Sequence, residues 1–514
     1  MPIRLTRRAA LTGAAASTAL VAAPGLLRAA QRPSFTHGLQ SGDVSADGGV
    51  IWARADRPSR MLVEVATTES FRDARRVQPL DLTAATDFSG KMTLEGLPAG
   101  QQVFYRVRLA DLASINDESE PAVGRFRTAP AGRRPIRFVW SGDTAGQGWG
   151  IDESRGGMKT YATMLGRDPD FFIHSGDTIY ADGPLQETVE LPDGGVWRNV
   201  MTEAKAKVAE TLPEFRGNFL YNLLDENVRA FNAAAPMMAQ WDDHEVTNNW
   251  WPNELLEADD RYTVKSAALL AARGNRAFRE MMPLRESWVE PGRIYRKIAY
   301  GPLLDVFFLD MRSYRGDNSA NDQTERTPAT AFLGPEQIAW LKRELTNSRA
   351  LWKVIASDMP IGMIVRDGSE AFENGANGDG PARGRELDIA DILRFIKHAG
   401  VANTVWLTAD VHYTAAHRYS PERARLQDFD PFWEFVSGPI HAGTFGPNDY
   451  DDTFGPEVVF AKHPSEEQGL NLPPSMGLQF FGEVEIAPEG PMTVTLRDRD
   501  DAALWSTTLE PKRG

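Results

Sequence analysis

Phe171-Phe172-Ile173-His174-Ser175-Gly176-Asp177-Thr178-Ile179-Tyr180 decides the fold: a short, nearly continuous apolar run that stops at a glycine and a carboxylate. A run this short, apolar at successive positions, reads as a strand buried on both faces of a sheet. Four other segments repeat the arrangement. Ile136–Trp140 runs into Ser141-Gly142-Asp143-Thr144-Ala145-Gly146, and Leu351–Ala356 into Ser357-Asp358-Met359-Pro360. Thr404–Leu407 runs into Thr408-Ala409-Asp410-Val411-His412, and Met237–Gln240 leads to Trp241-Asp242-Asp243-His244-Glu245. With Leu303–Leu309 and the helical or loop segments between them, these runs predict an α/β domain over residues 136–510. A polar, mostly helical stretch from about Val196 to Ala234 interrupts the series.

Upstream the rhythm differs. Val50–Ala53, Met61–Val65 and Val103–Val107 alternate or run apolar, with Gly, Pro and Asp between them, as in short strands. Leu97-Pro98-Ala99-Gly100-Gln101-Gln102-Val103-Phe104-Tyr105 resembles a tyrosine corner, so residues 35–130 read as a fibronectin III-like β-sandwich. Thr128-Ala129-Pro130-Ala131-Gly132-Arg133-Arg134-Pro135 reads as the linker. At 514 residues the chain has room for two such domains. Residues 1–30 read as a signal peptide, with Arg4, Arg7 and Arg8 ahead of an Ala-rich stretch and a small-residue exit at Arg28-Ala29-Ala30. Thr6-Arg7-Arg8-Ala9-Ala10-Leu11 resembles a twin-arginine signal, which makes the twin-arginine export machinery a partner and the periplasm or exterior the destination. The stretch is too weakly apolar for stable membrane insertion.

Composition narrows the chemistry. The absence of cysteine excludes disulfides, thiolate metal sites and a Cys nucleophile. A net charge of -15 argues against a nucleic-acid-binding surface, although bound cations let an acidic protein act on phosphates. A single Asp after a strand is ordinarily a turn or helix cap. Five such positions, two with His nearby, are different, because open α/β sheets place their sites beyond the carboxyl ends of strands. Carboxylates converging there repel one another unless a multivalent cation lies between them.

The Gly176-Asp177-Thr178-Ile179-Tyr180 block is similar to the second motif of metallophosphoesterases of the purple acid phosphatase type. Trp241-Asp242-Asp243-His244-Glu245-Val246-Thr247-Asn248-Asn249 and Ala409-Asp410-Val411-His412 resemble the PhoD-like alkaline phosphatase D branch of that superfamily. The resemblance implies an αββα sandwich behind the N-terminal domain and two metal sites. Asp143, Asp177, Tyr180 and His412 would bind the first metal, with Asp177 bridging to a second held by Asp243, Asp358 and Asp410. Asp243 stands where purple acid phosphatases carry Asn, and Asp358 and Asp410 where they carry His. A phenolate among carboxylates suits Fe(3+), and an oxygen-rich second site suits Ca(2+), in agreement with the iron–calcium chemistry of the PhoD-like family. Some members carry a Cys in the first motif, where this chain has Asp143.

The reaction so implied is hydrolysis of phosphodiesters, phosphomonoesters or both. Water made acidic between two ions attacks phosphorus in line, with His244 as general acid. Asn248 and Arg312 are candidates for substrate binding. For His244 the alternative is a helix-starting His paired with Glu245, and for Arg312 a salt bridge to Asp310 or another acid. Two unrelated functions also fit parts of the pattern: a metal-independent glycoside hydrolase using paired carboxylates, and a non-catalytic cell-surface sandwich protein. The glycoside hydrolase reading accounts for neither Tyr180 three residues after Asp177 nor the Asp410–His412 pair.

Overall fold

The structure is a computed structural model that describes residues 32–512. The signal peptide and its twin-arginine motif lie outside the described residues. Among these, two large sheets face each other. The first has nine strands, and its middle is Phe480–Ile486, Ile136–Ser141, Phe171–Ser175, Met237–Gln240 and Phe35–Gly42. The second has seven, with Leu304–Phe308, Trp352–Ala356, Thr404–Thr408 and Phe432–Val436 running parallel at its centre.

Alternation explains why these strands are apolar at nearly every position. Phe138, Trp140, Phe171 and Ile173 point into the core between the sheets, where they meet Val306, Phe308, Val354 and Leu407. Val139 and Phe172 point the other way, onto the helices Leu212–Asn222, Glu226–Ala234 and Ala267–Met281. Phe307, Ile355 and Trp406 likewise leave the central core for the helices Pro335–Asn347 and Glu386–His398. The result is four layers, helix–sheet–sheet–helix, as the family resemblance implies.

Residues 35–127 form strands in two layers, and one of those layers belongs to the main sheet. Phe35–Gly42 pairs in parallel with Met237–Gln240 through Gly42 and Met237, and brings Gly49–Ala55 and Ser89–Leu94 with it. Ser59–Ala66, Gln102–Asp111 and Ala122–Arg127 make the opposing sheet. The residues read as a linker are held in place: the Thr128 hydroxyl donates to the Pro98 carbonyl and the Ala129 N–H to the Ser45 carbonyl.

One expectation is corrected. Tyr105 does not make a tyrosine corner, since its hydroxyl meets no backbone acceptor and its ring packs in the core 6.0 Å from Phe126. The stretch from Val196 to Ala234 is mostly helical as expected, in Leu212–Asn222 and Glu226–Ala234, and opens on a short strand, Val196–Arg198, paired with Thr188–Glu190. Trp197 drives this, because it buries against Trp149 and Leu191 away from the helical layer.

Candidate metal centre

Parallel pairing brings the strand ends to one rim. Trp140 and Ser141 lie level with Ile173 and His174, and Ser175 with Gln240, so Asp143, Asp177 and Trp241–Glu245 leave the sheet side by side. In the second sheet Ala356 lies level with Leu407, which puts Asp358 beside Ala409 and Asp410. The turns are tight. Asp143, Asp177, Asp410 and His412 take left-handed φ angles of 69, 50, 67 and 60°, a conformation in which short polar side chains are enriched. Two glycines make room for the packing. A Cβ on Gly176 would lie 2.6 Å from the Asp242 Cβ, and one on Gly438 would strike Asp143 Oδ2 at 2.3 Å.

Ligand-type atoms converge in two overlapping groups. Asp143, Asp177 and His412 bring theirs within 4.8 Å of one another, as do Asp177, Asp243 and His244. Asp177 is common to both. Tyr180 joins the first group through its hydroxyl, 2.8 Å from His412 Nε2, and its ring stacks on His244 at 4.3 Å. His412 Nδ1 bonds the Gly443 carbonyl, which leaves Nε2 facing Asp143 at 3.4 Å. That arrangement presents the lone pair of Nε2 to the cluster.

Asp358 and Asp410 do not join either group at that spacing. The charge of Asp242 acts on both: after burial it raises the pKa of Asp358 and, behind Glu373, that of Asp410. Asp243 is held by the Asn249 N–H at 2.6 Å. His244 donates its backbone N–H to Asp177 at 3.2 Å, and its Nδ1 lies 2.7 Å from Asp182. Glu245 is not its partner. It accepts instead from the Thr178 and Asp242 N–H groups, tying two rim loops together. Arg312 is fully enclosed, with Nε 2.5 Å from Asp242 and a second contact to Glu373. Of the acids near it, Asp310 receives only its backbone N–H. The Asn248 side chain is exposed at the rim, and its N–H donates to Asp182.

The electrostatics are those of too much negative charge in a dry place. Burial first, then neighbouring carboxylates, pushes Asp143 and Asp177 well above the usual carboxylate range. Burial and then Asp177 do the same to the Tyr180 phenol. Burial opposes ionisation of Asp243, but His244, Arg312 and the Asn249 N–H hold it to about 2. Burial alone would lower His244, yet Asp182 and Asp243 raise it to about 10. Neither oxygen of Asp143 or Asp358 meets a hydrogen-bond donor. Buried carboxylate oxygens left unpaired cost several kcal/mol unless a cation meets them. The donor set of carboxylates, one phenol and one imidazole fits hard metal ions.

Three residues of this network carried no assigned role in the sequence. Asp182, five residues past Asp177, orients His244, and Asp242 sits between Arg312 and the other acids. Their motifs contained the signal, since each lies within a block already rich in acids. Glu373 arrives from a loop with no motif at all.

Sheets packed between helices with metal-type ligands at one rim define the metallophosphoesterase class, and comparison with known proteins agrees. Residues 138–495 match the PhoD-like phosphatase family, and residues 19–130 match its N-terminal domain. The chain belongs to the PhoD-like phosphatase family. It is 29% identical over 440 residues to alkaline phosphatase D of Bacillus subtilis (strain 168), covering 82% of this chain and 71% of that protein. In three dimensions it superposes on the structure of PhoD with a TM-score of 0.69, at 22% identity, over 93% of this chain and 92% of that one. A purple acid phosphatase from yellow lupin (Lupinus luteus) seeds shares the fold at a TM-score of 0.57 and 12% identity, over 93% of this chain and 74% of that chain.

Proposed function

We propose that this chain is an exported hydrolase of phosphate monoesters, diesters or both, working at a metal cluster on the rim described above. The supporting observation is the pair of ligand groups sharing Asp177, with the buried oxygens of Asp143 left unpaired. Asp143, Asp177, Tyr180 and His412 would hold an iron ion. Asp243, Asp410 and Asp358 would hold calcium with Asp177 shared. Bound there, the ions supply Lewis acidity toward the phosphoryl oxygens and toward water.

The chain's own residues do the rest. His244 is pinned by Asp182 at Nδ1, so Nε2, 3.9 Å from Asp243, is the atom that delivers a proton to the leaving alkoxide. Stacking on Tyr180 fixes its plane. Arg312 acts at one remove, holding Asp242 and Glu373 in register beneath the cluster rather than reaching substrate. Asn248 at the exposed rim is the remaining candidate for contact with substrate. We take residues 136–510 as the catalytic domain, 35–130 as the N-terminal domain and 1–30 as a twin-arginine signal directing export to the periplasm or beyond. Among the described residues no helix is long and apolar enough to cross a membrane.

The test is chelation followed by re-addition of iron and calcium, assayed on p-nitrophenyl phosphate and bis-p-nitrophenyl phosphate. Activity should vanish and return with the ions. Activity unmoved by chelation would overturn the proposal and revive the glycoside hydrolase alternative. A tyrosinate–iron colour lost in Tyr180→Phe would separately identify the first site.

A further inference from the structure

A polar cavity of about 370 Å³ opens where the helix Lys159–Gly166 begins and the loops around His441 and Gln479 meet. None of the cluster's side chains lines it. Three cations do: Arg155, Lys159 and Arg499, and no Asp or Glu lines it among the described residues. In a chain of net charge -15, that local excess runs against the general composition.

The cations are under-used. Lys159 has no ion-pair or hydrogen-bond partner for its ammonium among the described residues. The arginines each donate to one backbone carbonyl, Arg155 to Val196 and Arg499 to Pro474, but their nearest carboxylates are loosely placed, Asp152 at 3.4 Å from Arg155 Nε and Asp500 at 3.8 Å from Arg499 Nε, so their charge is only partly met. Lys159 also occupies the first turn of its helix, which contains no acid, so its charge opposes the helix dipole. The helix end itself is met by Asp225, which accepts the Met158 N–H at 2.9 Å, so the charge left for an anion to meet is that of Lys159.

A second feature points the same way. Gln479 is 1% exposed, and neither its amide nitrogen nor its oxygen has a hydrogen-bond partner among the described residues. A buried amide in that state costs roughly 1–3 kcal/mol unless something in the cavity bonds to it. A donor amide beside three cations suits a tetrahedral oxyanion, whose several oxygens accept from all of them. The volume lies within the range of small-molecule sites.

We infer that this cavity is an anion site, separate from the metal cluster, for phosphate or the phosphoryl group of a small phosphomonoester. It is joined to the cluster by one backbone segment. The His441 N–H donates to the Asp143 carbonyl at 3.0 Å, its own carbonyl accepts from Ala145 at 2.7 Å, and its ring lines the cavity.

The test is calorimetric titration of full-length protein with inorganic phosphate and, separately, with glycerol phosphate. Asp177→Asn removes the shared cluster ligand and should still bind one anion per chain. Adding Lys159→Glu, at an exposed position, should weaken that binding at least tenfold, and Gln479→Leu should weaken it less, with melting temperatures unchanged. The tighter of the two probes identifies the source of the anion. No binding to Asp177→Asn, or equal binding after Lys159→Glu, would overturn the inference. Neither outcome depends on hydrolysis, so failure of the proposed reaction would be seen separately in the activity assay.

Discussion

The tripeptide Ser-Gly-Asp ends three strands of the same sheet, at Asp43, Asp143 and Asp177. All three aspartates are buried and all three have left-handed φ angles, 41, 69 and 50°. Their fates diverge. Asp43 receives two guanidinium bonds from Arg296 at 2.7 and 2.9 Å and the Arg285 N–H at 2.8 Å, so its charge is fully met. The Asp143 carboxylate accepts no hydrogen bond, and Asp177 receives one backbone N–H from His244. Register makes the difference. Gly42 lies level with Met237, whereas Ser175 already lies level with Gln240, so Gly176 stands four residues further along the sheet. At about 3.3 Å per residue that is roughly 13 Å, which places Asp43 among arginines and Asp177 among acids. One motif thus serves as a bolt in one place and as a ligand in the other, according to what the neighbouring strands deliver.

The contrast can be broken experimentally, and the largest effect is expected at the rim. Asp177→Asn should lower kcat by about a thousandfold or more, about 4 kcal/mol of barrier. Its unfolding midpoint without added metal should stay level or rise, because a buried, crowded charge is relieved. Asp43→Asn should do the reverse. It strands the Arg296 guanidinium and should cost about 3 kcal/mol in urea unfolding, with kcat per folded molecule within twofold of the parent. A large loss of kcat in Asp43→Asn would erase the distinction.

Smaller effects sharpen it. Asp182→Asn leaves the cluster ligands in place but frees His244, and kcat should fall about 10- to 100-fold. Asp182 is also the largest influence raising the His244 pKa against burial. If His244 works protonated, the alkaline limb of the kcat profile should therefore move to lower pH in this variant. The smallest effect is expected at His37, on the strand that carries Asp43. Burial, then Arg54, lowers its pKa to about 4. The folded state keeps the ring neutral, so its contribution is whole above the unfolded value near 6.5 and is lost as pH falls toward 4. His37→Gln should flatten the stability profile in that window and leave activity alone.

The strands were legible because both faces are buried, which makes Phe171-Phe172-Ile173 apolar without a gap. The centre was legible where its residues are contiguous, as from Asp177 to Tyr180. What stayed hidden came from pairing between distant segments. Nothing near Gly42 announces that it will lie beside Met237, so neither the continuity of the N-terminal strands with the main sheet nor the role of Asp43 could be read. Glu373 was invisible for the same reason, since only the fold brings it to Arg312. The Leu97–Tyr105 resemblance misled because the turn signals of a tyrosine corner are present, while the acceptor that its hydroxyl needs is not.

Elemental analysis of the metal bound per chain, in the parent, Asp43→Asn and Asp177→Asn proteins purified alike, tests the central claim most directly. The parent and Asp43→Asn should carry the same metal content, and Asp177→Asn should lose most of it. Full metal content in Asp177→Asn would contradict a centre built around that shared carboxylate.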